Sequence, residues 1–252
     1  YLSARGISIT TAAACGIGFD PAADPANAPG AMGDEYRPHP CPRIIIPTSR
    51  GHYVGRRIEQ GEYAKINAKG STPAIFNADI LKTADAQEIF ITEGAFDALS
   101  VIEAGGAALA LNSANNAPLL LQILEKQPTA ATFVISLDSD KAGENGAAAL
   151  IEGFNRLQIP FITADINCGK KDANEALTAD RTAFTAAVQA AQQQAQDQRK
   201  KNGIPGLLTF SDAVKLFETA DNEIIEFKAF PTFGKTAKIK KHDSIVIAAD
   251  TG

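Results

Sequence analysis

Four carboxylates carry the first chemical suggestion in this chain. Glu93 and Asp97 stand in the run Glu93-Gly94-Ala95-Phe96-Asp97, and Asp138 and Asp140 in Asp138-Ser139-Asp140-Lys141-Ala142-Gly143. Each group follows an apolar run of the kind that forms a buried strand, Ile89-Phe90-Ile91 before the first and Thr132 to Leu137 before the second. Successive side chains of an extended chain alternate in direction, so Asp138 and Asp140 share a face and can address one ion. A helix opening near Ala95 puts Asp97 in its first turn, close to Glu93. Carboxylates crowded together raise one another's pKa and destabilise a fold unless cations offset the repulsion. Hard divalent ions with oxygen ligands, chiefly Mg²⁺ or Mn²⁺, are the natural partners. Two such ions about 3.5–4 Å apart clamp the attacking and leaving oxygens of a phosphoryl transfer. An isolated Asp-x-Asp at a strand end is more often an ordinary turn; acidic ends on two strands of one sheet, the second turning directly into a helix, point to phosphate chemistry.

The elements that must position these acids are legible from Glu88 onward. The order is strand 88–92, helix 95–104, strand 107–111, helix 117–126, strand 132–137, helix 143–157, strand 161–165. This alternation predicts an α/β fold, a mostly parallel sheet with helices on both faces, and in such sheets sites gather where strands end and helices begin. Leu119, Leu120, Ile123 and Leu124, then Leu150, Ile151, Phe154 and Leu157, have the spacing of buried helical stripes. Ahead of this region, residues 1–86 read as a small basic α+β subdomain. Ser8 caps a helix over Ile9 to Ala14 that Gly16 and Gly18 end, a loop covers 21–42, and strands at 43–46 and 52–58 flank a turn at 47–51. Residues 87–190 form the alternating domain. A helix from about Arg181 leads into a polar linker at 191–203, and 204–252 read as a partial further domain ending on the strand Ser244 to Ala248.

With 252 residues and 45% hydrophobic content, the chain supports one large or two small cores. Cys15, Cys41 and Cys168 form no paired spacing, which argues against a disulfide framework or zinc site and fits a reducing cytoplasm. His39, His52 and His242 complete no catalytic or zinc arrangement. No apolar run approaches the roughly 20 residues of a membrane span, and no signal peptide opens at Tyr1, which reads as a point within a longer protein. The net charge of −5 argues against a general nucleic-acid coat protein. From Arg37 to Lys69, however, seven basic residues (Arg37, Arg43, Arg50, Arg56, Arg57, Lys65, Lys69) face two acids, Glu59 and Glu62. A basic segment beside an acidic centre suits a polyanion held over metal ions.

Glu93-Gly94-x-x-Asp97 and Asp138-x-Asp140-x-Ala142-Gly143 resemble the two signature motifs of the TOPRIM fold of bacterial and phage primases, topoisomerases and some nucleases. Tyr1-Leu2-x-x-Arg5-Gly6-Ile7-Ser8, Gly16-Ile17-Gly18-Phe19, Arg43-Ile44-Ile45-Ile46-Pro47 and Lys65-Ile66-Asn67 are similar to segments of the primase catalytic core, so the resemblance spans about residues 1–190. It implies Glu93, Asp138 and Asp140 as catalytic metal ligands supported by Asp97, with Asp172, in Lys171-Asp172-Ala173-Asn174-Glu175, as a further metal position of the phage primase-helicase type. It implies Arg56, Lys65, Asn67 and Lys141 as contacts to nucleotide or nucleic acid. Ser139 and Asn174 depart from bacterial primases, which often carry glycine and a second aspartate there. The piece from Ile204 resembles the start of a RecA-like replicative helicase domain, and Ala248-Ala249-Asp250-Thr251-Gly252 approaches a phosphate-binding loop whose Gly-Lys-Ser/Thr is not reached, so ATP hydrolysis by that route is not expected of this stretch. The implied activity is metal-dependent RNA primer synthesis on single-stranded DNA from ribonucleoside triphosphates, in one polypeptide with a helicase domain. A TOPRIM nuclease and a non-catalytic module that binds DNA and positions the helicase are the alternatives.

Overall fold

The computed structural model describes residues 1–23, 40–49, 52–61, 64–67, 73–83, 88–127 and 129–202. The loop expected at 21–42 and the helicase-like piece from 204 lie largely or wholly outside these. Two sheets organise the described residues. The first is antiparallel, in the order β1 (Gly18–Ala23), β2 (Cys41–Ser49), β3 (His52–Arg57), β4 (Lys65–Asn67). The second, β6-β5-β7-β8, is fully parallel and built from β5 (Glu88–Thr92), β6 (Ala107–Ala110), β7 (Thr132–Ile135) and β8 (Phe161–Thr163). The helices are α1 (Ile9–Ala14), α2 (Ile80–Thr83), α3 (Ala95–Glu103), α4 (Ala117–Lys126), α5 (Lys141–Leu157), α6 (Ala173–Ala179) and α7 (Arg181–Asn202).

The period-2 alternation of the parallel strands decides what each face holds. Phe90, Ala108, Ala110 and Val134 point to one side, where they pack with Leu99 and Val101 of α3, Leu177 of α6 and Phe184 and Val188 of α7. Ile89, Ile91, Leu109, Phe133 and Ile135 point to the other, against Leu120 and Leu124 of α4 and Leu150 and Phe154 of α5. This is the expected α/β sheet with helices on both faces. Ile7, Ile44, Ile46 and Val54 from the N-terminal segment belong to the first of these cores. Residues Tyr1–Arg199 form one compact unit.

Several elements differ from the expectations. Residues 18–23, read as the end of a helical unit and the start of a loop, form β1, held by the pairings Gly18↔Ile45, Phe19↔Ile44 and Asp20↔Arg43. As an edge strand, β1 tolerates Pro21. β2 continues through Pro47, where a turn was expected. Pro47 lies past Ile45, the last β2 residue on the β1 side, so its missing N–H interrupts no ladder there. β4 and α6 were not anticipated. The linker expected at 191–203 is helical through Asn202, because Ala191 and Ala195 continue the buried stripe begun by Phe184 and Val188. Among the described residues, no helix is long and apolar enough to cross a membrane.

Candidate active site

Both acidic motifs sit where a parallel strand hands over to a helix. Glu93 follows β5, and Gly94 caps α3, donating its backbone N–H to Asp97 Oδ2 at 3.2 Å. A Cβ at position 94 would lie 2.6 Å from that same oxygen and would have to displace the Asp97 carboxyl. Asp138 follows β7, and Asp140 caps α5, its Oδ1 accepting the Gly143 N–H at 2.9 Å. Gly143 packs on the backbone of Asp138: a Cβ there would lie 2.0 Å from the Asp138 carbonyl oxygen. Asp172 caps α6, with Oδ1 accepting the Glu175 N–H at 2.7 Å.

The five acids interact through space. Burial, then the charge of Asp140, pushes the Glu93 carboxyl up against a hydrogen bond from the Ala114 backbone and the attraction of Lys65. Burial pushes Asp138 up to about 6, reinforced by Glu93, Asp172 and Asp140 and opposed by Lys171. Asp97 is driven to about 7, by burial first and then by Asp172 and Asp138, although the N–H groups of Asn174 and Gly94 donate to it. Glu93 Oε2 is buried without a hydrogen-bond partner. An orphaned carboxylate oxygen among mutually repelling acids is what a divalent cation would satisfy, and the all-oxygen donor set suits Mg²⁺ or Mn²⁺. Among the described residues, no three such side chains are gathered into a ready-made metal cluster.

The basic residues divide. Arg56 and Lys65, opposite each other in the β3–β4 ladder, line a pocket of about 130 Å³ together with Arg5, Asp97, Asp172 and Asn174. Burial, then the neighbouring Arg56 charge, lowers the Lys65 pKa while Glu93 raises it, and Lys65 Nζ donates to the Asn112 carbonyl at 3.3 Å. Lys65 also borders a second pocket of about 420 Å³, lined by Asn67, Tyr53 and Asn116 among others. Lys141 does not join them. It is exposed and pairs with Glu144 at 3.4 Å. Of the basic run from Arg37 to Lys69, Arg43 is only 1% exposed, with its guanidinium donating to the Gly55 carbonyl at 3.4 Å, so it cannot face a polyanion; Arg37, Arg50 and Lys69 lie outside the described residues. A third cavity of about 360 Å³ adjoins Asp138, Ser139 and Asp165 on the α5 side.

Sequence reasoning gave no role to Arg5, Ser100 or Asn112. Arg5 binds the Asn174 side chain at 2.9 Å although 169 residues separate them, and only its place in the Tyr1-Leu2-x-x-Arg5-Gly6 segment marked it. Asn112 turns the chain after β6 with φ of 61°, a conformation asparagine tolerates, and anchors itself to the Ala74 carbonyl at 3.0 Å.

The family model described as Toprim-like matches residues 90–177, which hold all five acids. The primase fragment of the bacteriophage T7 primase-helicase protein superimposes with a TM-score of 0.53 at 19% identity, over 74% of this chain and 73% of that one. A chain from the bacteriophage T7 lagging-strand DNA polymerase interacting with primase domains bound to an RNA/DNA hybrid and dTTP gives 0.53 at 17% identity, over 76% and 89%. The Aquifex aeolicus primase, comprising zinc-binding and RNA polymerase domains, gives 0.50 at 19% identity over 87% of this chain and 57% of that one. No curated protein sequence matches.

Proposed function

Because residues 90–177 are Toprim-like and the chain has the fold of a TOPRIM primase core, we propose that it is the catalytic part of a DNA primase from a primase-helicase polypeptide. Its activity would be the synthesis of short RNA primers on single-stranded DNA from ribonucleoside triphosphates, in the cytoplasm. The observation that carries this reading is the placing, within one compact unit, of a cationic wall of Arg56 and Lys65 in one pocket with Asp97 and Asp172, while Lys65 also acts on Glu93, which in turn interacts with Asp138 and Asp140.

On this reading Glu93, Asp138, Asp140 and Asp172 hold the divalent metal, and Asp97 supports them, accepting the Gly94 N–H within the turn between β5 and α3 and the Asn174 N–H at the start of α6. Bound Mg²⁺ or Mn²⁺ supplies acidification of a 3′-hydroxyl and neutralisation of phosphate charge. Lys65 and Arg56 bind phosphate oxygens, for which their charge is suited. Asn67, in the larger adjoining pocket, faces the rest of the nucleotide or the template. No histidine is needed as a general base. The exposed Lys141 retains at most a contact to incoming nucleic acid.

The test follows two labels in one reaction: this chain, Mg²⁺ or Mn²⁺, end-labelled single-stranded DNA and labelled ribonucleotides, beside Asp138→Ala/Asp140→Ala. Short RNA products absent from the double variant are expected. Cleaved template without RNA would assign the site to a nuclease; DNA binding with neither product would assign it to a non-catalytic module.

A further inference from the structure

We propose that Asn174 is a positioning residue: clamped between Arg5 and Ser100, it holds Asp97 and Asp172 in the acidic group and contributes no metal ligand itself. The inference rests on the metal-site reading above and narrows its ligand set.

Every polar function of Asn174 is committed within the protein. Its backbone N–H donates to Asp97 Oδ1 at 3.2 Å, and its Nδ2 donates to the Arg5 carbonyl and to Ser100 Oγ, both at 2.9 Å. Its Oδ1 accepts from the Arg5 guanidinium at 2.9 Å, and the residue is 4% exposed. A cation already lies against the one atom that could ligate a metal, and a second cation on that oxygen would be repelled. Arg5 is fixed in turn, with its guanidinium carbon 4.8 Å from the Phe96 ring centre and 5.2 Å from that of Tyr1. Phe96 is the neighbour of Asp97, and Asn174 lies two residues after Asp172. The clamp therefore ties the chain's opening turn (Ser3–Arg5), the first turn of α3 and the first turn of α6 together, with one site acid on each helix.

The same contacts explain why an amide is required. Ser100 Oγ gives its own hydrogen to the Phe96 carbonyl at 2.8 Å, so it can only accept from position 174, and the Arg5 carbonyl can only accept as well. An aspartate would present an acceptor to both. Restoring an acid at this position would open the clamp rather than complete a metal site.

The test measures Mn²⁺ binding by calorimetry on the full 252-residue chain, on Asn174→Asp, Asn174→Ala and Ser100→Ala, with hydrogen exchange of residues 172–178. The expected result for both position-174 variants is unchanged stoichiometry, Mn²⁺ affinity about tenfold or more weaker, and faster exchange at the start of α6. Ser100→Ala, which removes one acceptor and suits a helix, should weaken Mn²⁺ by about threefold and decides the matter if the position-174 variants do not fold. Tighter binding or an additional ion in Asn174→Asp would make 174 a ligand position and overturn the proposal. So would folded variants, Ser100→Ala included, that bind Mn²⁺ as the wild type does, since the clamp would then be merely structural. A wild-type chain that binds no Mn²⁺ would remove the metal-site reading itself.

Discussion

Burial and neighbouring acids raise the carboxyls of Asp97 and Asp138, and this gives the site a definite response to pH. Their carboxyls are pushed from an ordinary 3.8 to about 7 and about 6, by burial first and then by neighbouring acids. The folded state therefore binds protons that the unfolded state releases. The stability these groups contribute is fully present below about pH 4 and is lost as pH rises through 6 and 7. For the metal-free protein, thermal melts should show this contribution as a fall in Tm from about pH 4 to about pH 7. Saturating Mg²⁺ should offset the fall, and Asp138→Asn should flatten it; a slope indifferent to both would show that these acids do not act as a group. The places of Glu93, Asp97, Asp138 and Asp140 where strands hand over to helices could be read from the sequence because strand-end position and spacing survive in the linear pattern. The roles of Arg5 and Ser100 could not, since their partner Asn174 lies 169 and 74 residues away.

At the scale of elements, the handover from β7 to α5 is fixed by contact rather than propensity. Gly143→Ala would improve helix propensity, yet its Cβ would meet the Asp138 carbonyl at 2.0 Å. The expected outcome is a loss of about 1–3 kcal/mol in denaturant unfolding, together with weakened metal binding as Asp138 is displaced. Glu103 ties α3 to two other helices. It accepts from the Ser8 backbone N–H and hydroxyl at 2.9 and 2.8 Å, and from Arg181 at 3.1 Å. Burial opposes its charge, but the hydrogen bonds from Thr11, Ser8 and Arg181 win and lower its pKa. Its contribution is thus present at neutral pH and lost in acid, opposite in sign to that of Asp97. Glu103→Gln should cost about 1–2 kcal/mol at pH 7 by denaturant unfolding, and less at pH 3. The parallel strands and their helices were legible because period-2 and period-3.6 patterns run long enough there. β4 spans only Lys65–Asn67, and α6 opens in the loop-like Lys171-Asp172 sequence, so neither carries such a pattern; β1 exists because β2 pairs with it.

Over the whole molecule, the basic N-terminal sheet and the Toprim-like segment share a core through Ile7, Ile44, Ile46 and Val54. Residues 1–199 should therefore melt in one transition by calorimetry, whereas 87–199 alone, with that apolar surface uncovered, should give no cooperative transition. Charge patterning marked the N-terminal segment as basic; what it could not show is that Ile44, Ile46 and Val54 of its sheet share a core with Phe96, Leu99 and Val101 of α3. That shared core is also what brings Lys65 and Arg56 into the same structural unit as the acids. The most direct test of the site as a catalytic centre is the rate of RNA primer synthesis by Glu93→Gln, which removes one charge while keeping the side chain's shape. A fall of about a hundredfold or more with single-stranded DNA binding unchanged is expected; primer synthesis at the wild-type rate would show that Glu93 is no part of a catalytic centre.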